Sequence, residues 1–170
     1  MKRLNKKGFT LVELLAVIVI LALIMAIAVY SISGVLTSSR ESVFKETAAG
    51  IIRGVKMQLT VANRMDTGKY YFDTTMLESG GNNPPFGGTY KFHTNEGTAV
   101  DGAKGVWKDS SANPSSTCTA TSTSFVYIDE ATNTSSICLT ITGKGTKYID
   151  GTEAELLGSG TDMIKDVPSS

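Results

Sequence analysis

The stretch Lys6-Lys7-Gly8-Phe9-Thr10-Leu11-Val12-Glu13-Leu14-Leu15 decides how the rest of the chain is read. A basic start meets a glycine, an aromatic residue and one carboxylate. From Leu14 to Tyr30 every residue is then apolar or aromatic. As a helix rising 1.5 Å per residue, Phe9 to Ile32 covers about 36 Å, enough for a hydrocarbon core of about 30 Å. Glu13 sits at the mouth of that helix, where an ionised carboxylate is unfavourable in lipid unless something neutralises it. The sequence therefore calls for a partner for Glu13.

Charge is distributed unevenly around this stretch. The 170 residues suit one domain, and basic and acidic residues balance at 16 each, so no global charge draws the chain to nucleic acid. Lys2, Arg3, Lys6 and Lys7 nevertheless fall in the first eight residues with no acid among them. By the positive-inside rule that leader stays in the cytoplasm and the rest is delivered outside. Without it the remaining chain is mildly acidic.

Three readings of the N-terminal segment compete. A cleaved secretory signal would use Ala26-Ile27-Ala28 as its small-residue site, but the apolar run outlasts the usual roughly 7–15 residues and continues past that site. Glu13 is also out of place in such a signal. A plain signal anchor explains length and orientation, and leaves Glu13 and Gly8 without a role. The third reading rests on Gly8-Phe9-Thr10-Leu11-Val12-Glu13-Leu14-Leu15 beside a basic leader. This stretch resembles the type IV pilin family, pseudopilins included.

The resemblance implies a prepilin that sits in the cytoplasmic membrane as a single-pass precursor with its head outside. A prepilin peptidase cuts after Gly8 and methylates the new amine, giving N-methylphenylalanine at Phe9. An assembly platform and ATPase then build the subunit into a surface filament, either a homopolymer or a mixture of pilins. Glu13 lies one helical turn from Phe9, so the two charges sit near one level. In the filament Glu13 of one subunit pairs with the Phe9 amine of a neighbour, which makes it a register key and not a catalytic base. Such fibres serve adhesion, twitching motility or DNA uptake; a pseudopilin of a secretion or competence machine shares the same processing. A membrane-anchored binding protein is the remaining alternative. The resemblance implies a structural subunit that is not an enzyme and has no cofactor.

Residues 1–8 thus form the leader, 9–33 the membrane and assembly helix, and 34–63 an amphipathic continuation of that helix. Residues 64–170 form the head. In the continuation Val35, Leu36, Val43, Phe44, Ala48, Ile51, Ile52, Val55, Leu59 and Ala62 recur at helical spacing, with charged residues between them. No proline occurs before Pro84. Pilin helices often carry a proline near the position of Tyr30. Here Ser31, Ser33 and Gly34 are the weak helix formers, and a bend or local unwinding at 31–34 in the filament is expected.

The head reads as short strands. Lys69–Asp73, Thr89–His93, Ser124–Glu130 and Ser136–Thr142 alternate or are rich in strand formers, and Thr146–Ile149 suggests a short edge strand. Ala131–Ser135 reads as a hairpin turn, and Gly80–Gly88 as a loop. The fold class is α+β, a long N-terminal helix packed against a small antiparallel sheet. Cys118 and Cys138 read as one disulfide in an exported domain, or as two unrelated buried thiols. Cys118 falls in the Ser- and Thr-rich stretch 109–124, and a bridge would staple that loop to the strand carrying Cys138.

Other constellations are weaker. His93 has no identifiable triad or metal partner and reads as an ordinary strand histidine. Asp150–Glu155 gathers oxygen donors without the spacing of a dedicated calcium loop, and a solvated turn is the alternative. Asn133-Thr134-Ser135 matches a glycosylation triplet that is common by chance, and sugar on the 110–124 hydroxyls is equally open. Gly143-Lys144-Gly145-Thr146 reads as a turn between strands, too short for a phosphate loop.

Overall fold

The computed structural model describes residues 10–77, 82–113, 115–143, 147–158 and 163–166. Two compact units divide at Ser39 and Arg40. One α-helix, α1 (Leu11–Val61), contributes to both, followed by eight strands and a second, short helix. The fold is α+β, a long N-terminal helix and then an antiparallel sheet.

In the first unit the described side chains from Leu11 to Ser39 are all exposed. Leu11, Leu23, Met25, Ile27 and Val29 lie open, with no cover among the described residues. The segment is long and apolar enough to cross a membrane. Residues 31–34 are helical here; the Ser33 and Thr37 hydroxyls donate to the carbonyls four residues back, of Val29 and Ser33. No neighbour lies within 4 Å of where a side chain on Gly34 would begin, so Gly34→Ala is expected to raise helix stability by about 1 kcal/mol without a clash. Helical circular dichroism of the full chain in detergent, wild type against variant, checks this.

In the second unit α1 buries one face: Phe44, Ala48, Ile51, Ile52, Val55 and Leu59, at intervals of three or four residues. These side chains share a core with Tyr70, Phe72, Val106, Val126, Ile128, Ile137, Leu139, Ile141 and Ile149 of the sheet. Val35, Leu36 and Val43, expected on the same stripe, are exposed. Val43 is one residue, about 100°, out of phase with Phe44, and that step turns it away from the core. The helix stops at Asn63, which takes φ 52°; the Arg64 N–H reaches the Leu59 carbonyl at 2.9 Å and the Asn63 N–H the Thr60 carbonyl at 3.0 Å. This is a Schellman cap with asparagine where glycine is commonest.

The strands are β1 (Gly68–Phe72), β2 (Thr89–Tyr90), β3 (Thr98–Ala99), β4 (Val106–Lys108), β5 (Phe125–Asp129), β6 (Thr134–Thr142), β7 (Lys147–Thr152) and β8 (Ile164–Asp166). Their order is β3-β4-β1-β5-β6-β7-β8, with β2 pairing separately on β6, and every pairing is antiparallel. The β5–β6 hairpin turns through Glu130–Asn133; the Asp129 carboxylate accepts from the Ala131 N–H and Asn133 takes φ 51°.

Three expectations change. The strand expected over Thr89–His93 is regular only at Thr89–Tyr90, because beyond Tyr90 the chain divides its hydrogen bonds: the Lys91 N–H goes to Thr140 and the His93 N–H to Phe72. The edge strand expected at Thr146–Ile149 is β7, and it is not an edge, since β8 pairs on its far side. Thr146 itself, like Lys144 and Gly145 of the expected turn and Gly80 and Gly81 of the expected loop, lies outside the described residues. The stretch expected as a solvated turn or cation loop, Asp150–Glu155, is the end of β7 and the start of the short helix α2 (Glu153–Leu157).

Both faces of β6 are buried. Ile137, Leu139 and Ile141 face the helix-side core, while Cys138 and Thr140 are equally covered on the other side. The Ser- and Thr-rich stretch supplies that second cover: Cys118 is bonded to Cys138, with Cα atoms 5.4 Å apart, and the Ser124 hydroxyl accepts from the Thr140 N–H.

Candidate functional site

The start of α1 is built as a reciprocal cap. The Thr10 carbonyl accepts the first intrahelical bond, from the Leu14 N–H at 3.2 Å, which makes Thr10 the N-cap. Glu13 folds back three residues: its Oε2 accepts from the Thr10 N–H at 2.9 Å and the Thr10 hydroxyl at 2.8 Å. The Glu13 N–H lies 3.4 Å from the Thr10 hydroxyl oxygen, which completes a capping box. A carboxylate in the first turn also faces the positive end of the helix dipole. Sequence reasoning gave Thr10 no role, although Thr-x-x-Glu before an apolar run is the pattern of this cap. Lys2, Arg3, Lys6, Lys7, Gly8 and Phe9 lie outside the described residues.

In the head, polar groups serve to hold loops on the sheet. One cross-strand row places Trp107 beside Tyr71, Tyr71 beside Phe125 and Phe125 beside Cys138. Tyr71, Phe125 and Cys138 form a second, smaller core, with Trp107, Cys118 and Tyr127 packed on it. His93 stacks on Trp107, ring centroids 3.9 Å apart and planes within 13°. Its Nδ1 is buried without a hydrogen bond and lies 3.6 Å from the Glu96 carboxylate.

Glu96 is the hub of that corner. It accepts from the Thr123 hydroxyl at 2.6 Å, from the Thr94 N–H at 2.9 Å and from the Asn95 N–H at 3.0 Å. Burial opposes its ionisation, yet the hydrogen bonds from Thr123, Thr94 and Asn95 prevail and hold the carboxyl at about 2. The folded value lies below the ordinary 4.5, so the stabilisation is present above about pH 4.5 and is lost as the pH falls towards 2. Denaturant unfolding of wild type and Glu96→Gln at pH 5 and near pH 2 is expected to show a stability gap that shrinks with acid.

The Asp150–Glu155 carboxylates are dispersed. Asp150 is 3.5 Å from Lys165, Glu153 is 2.7 Å from Lys56 and accepts from Ser135, and Glu155 caps α2 through Thr152. Among the described residues no group of three or more His, Cys, Asp or Glu could hold a metal ion. The disulfide closes a separation of 20 residues. Replacing both cysteines by serine is expected to lower head stability by about 3 kcal/mol, read as the shift in denaturant midpoint of the full chain in detergent.

The site that stands apart is the N-terminal one: a capped carboxylate leading an apolar helical segment whose described side chains are exposed. The chain carries the prokaryotic N-terminal methylation motif, matched over residues 3–29. No curated protein and no solved structure matches the chain. The methylation motif is the signal of type IV pilins and pseudopilins, and it indicates that family of structural subunits, processed by a prepilin peptidase and handled by a pilus-type assembly machinery. The motif spans Arg3, Lys6, Lys7, Gly8, Phe9 and Glu13 and ends within the apolar segment at Val29.

Proposed function

We propose that this protein is the structural subunit of a type IV pilus. It is cut after Gly8, N-methylated on Phe9, and assembled into a helical surface filament by packing of its N-terminal helix. The observation that carries this reading is the methylation motif leading straight into α1, whose described residues from Leu11 to Ser39 are exposed in the single chain. An apolar surface of that length has two suitable environments, lipid before assembly and the helices of other subunits after it. Residues 1–8 are then the leader, 9–33 the membrane and assembly segment, 34–63 its continuation and 64–170 the exposed head.

In the mechanism, Lys2, Arg3, Lys6 and Lys7 keep the leader on the cytoplasmic side. Gly8, without a side chain, lets the backbone lie close against the peptidase. The cut leaves an α-amine on Phe9, one turn from Glu13. In the fibre that amine and the Glu13 carboxylate of a neighbouring subunit neutralise each other away from water. A wrong register leaves a charge unpaired among apolar helices and is disfavoured. The disulfide-stapled sheet is the surface that the fibre presents.

Shearing filaments from the cell surface tests the choice between the two kinds of fibre. Antibody to the head is expected to decorate long filaments along their whole length, and deletion of this subunit to remove them. Processed subunit that stays in the membrane fraction, with no surface filament containing it, would identify a pseudopilin instead.

A further inference from the structure

The chain has one histidine and one tryptophan, and the head stacks one on the other. His93 and Trp107 lie with ring centroids 3.9 Å apart and planes within 13°. The His93 side chain is 9% exposed, and its buried Nδ1 has no hydrogen-bond partner among the described residues. That nitrogen stops 3.6 Å from Glu96 Oε2, beyond hydrogen-bond reach. We propose that His93 is a proton-operated latch beside the second, smaller core of the head: on taking up a proton it donates from Nδ1 to Glu96 and locks the 91–96 segment to the 119–124 loop.

A buried nitrogen without a partner is rare in a folded protein and unfavourable. A neutral imidazole donates from one nitrogen and accepts at the other. Both neutral forms leave Nδ1 unused here. With the hydrogen on Nε2, Nδ1 turns a lone pair towards a carboxylate that repels it. With the hydrogen on Nδ1, it stops short of its acceptor. A protonated ring donates from both nitrogens, so Nδ1 then carries a hydrogen that the Glu96 carboxylate attracts. The same positive charge lies over the indole face, within the roughly 6 Å at which a cation and an aromatic ring attract. Histidine ordinarily makes this change between about pH 5 and 8. Glu96 stays ionised throughout that range, since its hydrogen bonds hold its carboxyl at about 2.

The latch acts on a corner where two segments already meet. Glu96 Oε2 accepts from the Thr94 and Asn95 N–H groups, and its Oε1 from the Thr123 hydroxyl at 2.6 Å. Lys91 ties the same segments: its carbonyl accepts from the Ser124 N–H at 2.8 Å, and its Nζ donates to the Thr121 carbonyl. The other charged and titratable groups on the neighbouring strands are engaged elsewhere. On β1, the Tyr71 ring lies 6.3 Å from that of His93, and its hydroxyl donates to Asp109, which pairs with Lys69 at 3.8 Å. On β4, Lys108 bonds Asp66. Glu96 is therefore the carboxylate that a proton on His93 meets.

The full chain in detergent is titrated between about pH 8 and about pH 5.5, reading Trp107 emission and the hydrogen-exchange protection of the Thr94 and Asn95 amides. A protonated imidazole quenches an indole that it touches, so emission is expected to fall with acid. Protection, corrected for the intrinsic exchange rate, is expected to rise about tenfold, as one hydrogen bond to a charged group gives, and to be lost again as the pH rises. His93→Phe keeps a ring against Trp107, has no proton to take up, and is expected to lose both responses; His93→Gln is a second proton-free variant should phenylalanine disturb the head. Glu96→Gln is expected to keep the change in emission and to hold protection within about twofold across the range. Wild-type emission and protection that ignore pH would overturn the proposal. So would a change in emission without a change in protection, which describes a titrating ring and no latch. A tenfold change in protection that survives in a proton-free variant, or in Glu96→Gln, would overturn it as well.

Discussion

Glu13→Ala is expected to leave the cut after Gly8 intact and to abolish fibres. In the proposed subunit the cut lies before Phe9, and Glu13 is the fifth residue beyond it. Alanine removes the acceptor for two donors of Thr10 and the partner for the Phe9 amine together. In the membrane the variant is more at ease than wild type, since an apolar residue replaces a carboxylate. In a fibre it strands the amine of every neighbour among apolar helices, and an unpaired buried charge is among the most unfavourable features a packed interface can hold. The expected pattern is therefore normal processing, normal or raised membrane-bound subunit, and no sheared filament. Mass spectrometry of the membrane fraction and electron microscopy of the sheared fraction read the two halves of that outcome.

Phe44→Ala is expected to destabilise the head by about 3–5 kcal/mol. Phe44 is fully buried, edge-on to Phe86 with ring centroids 5.8 Å apart and stacked on Tyr90 at 6.2 Å. Alanine leaves a hole where the helix meets Tyr90 of β2 and the loop carrying Phe86. A domain's whole stability is about 5–15 kcal/mol, so this one change removes a large share of it. The adjacent Val43→Ala, at an exposed position, is expected to change stability by less than about 0.5 kcal/mol. Denaturant unfolding of the full chain in detergent, followed by Trp107 fluorescence, compares the two. Similar losses from both variants would show that the helix is phased differently on the sheet.

The long helix was legible because its signals are local and repeated: an unbroken apolar run, helical spacing through Leu59, and no proline before Pro84. The β5–β6 hairpin was legible for the same reason, two strand-forming runs around a turn. What escaped was set by partners distant in sequence. Val106–Lys108 is three residues long and becomes a strand because β1 and β3 lie on either side of it. Ile164–Asp166 depends in the same way on β7, and its presence turns an expected edge into an interior strand. The exposure of Val43 beside buried Phe44 needed the sheet's position, since spacing alone admits both residues to one broad stripe. At the N-terminal site Glu13 stands out in the sequence by its charge, whereas Thr10 carries none, and its part in the cap rests on the short Thr-x-x-Glu pattern alone. The Thr152–Glu155 box is the same pattern, within a stretch whose other oxygen donors stand out more.

The most direct measurement is the mass of the N-terminal peptide of this subunit taken from sheared filaments. The account predicts a peptide beginning at Phe9 and carrying one methyl group on its amine. A peptide beginning at Val29, or at an uncut Met1, would contradict it.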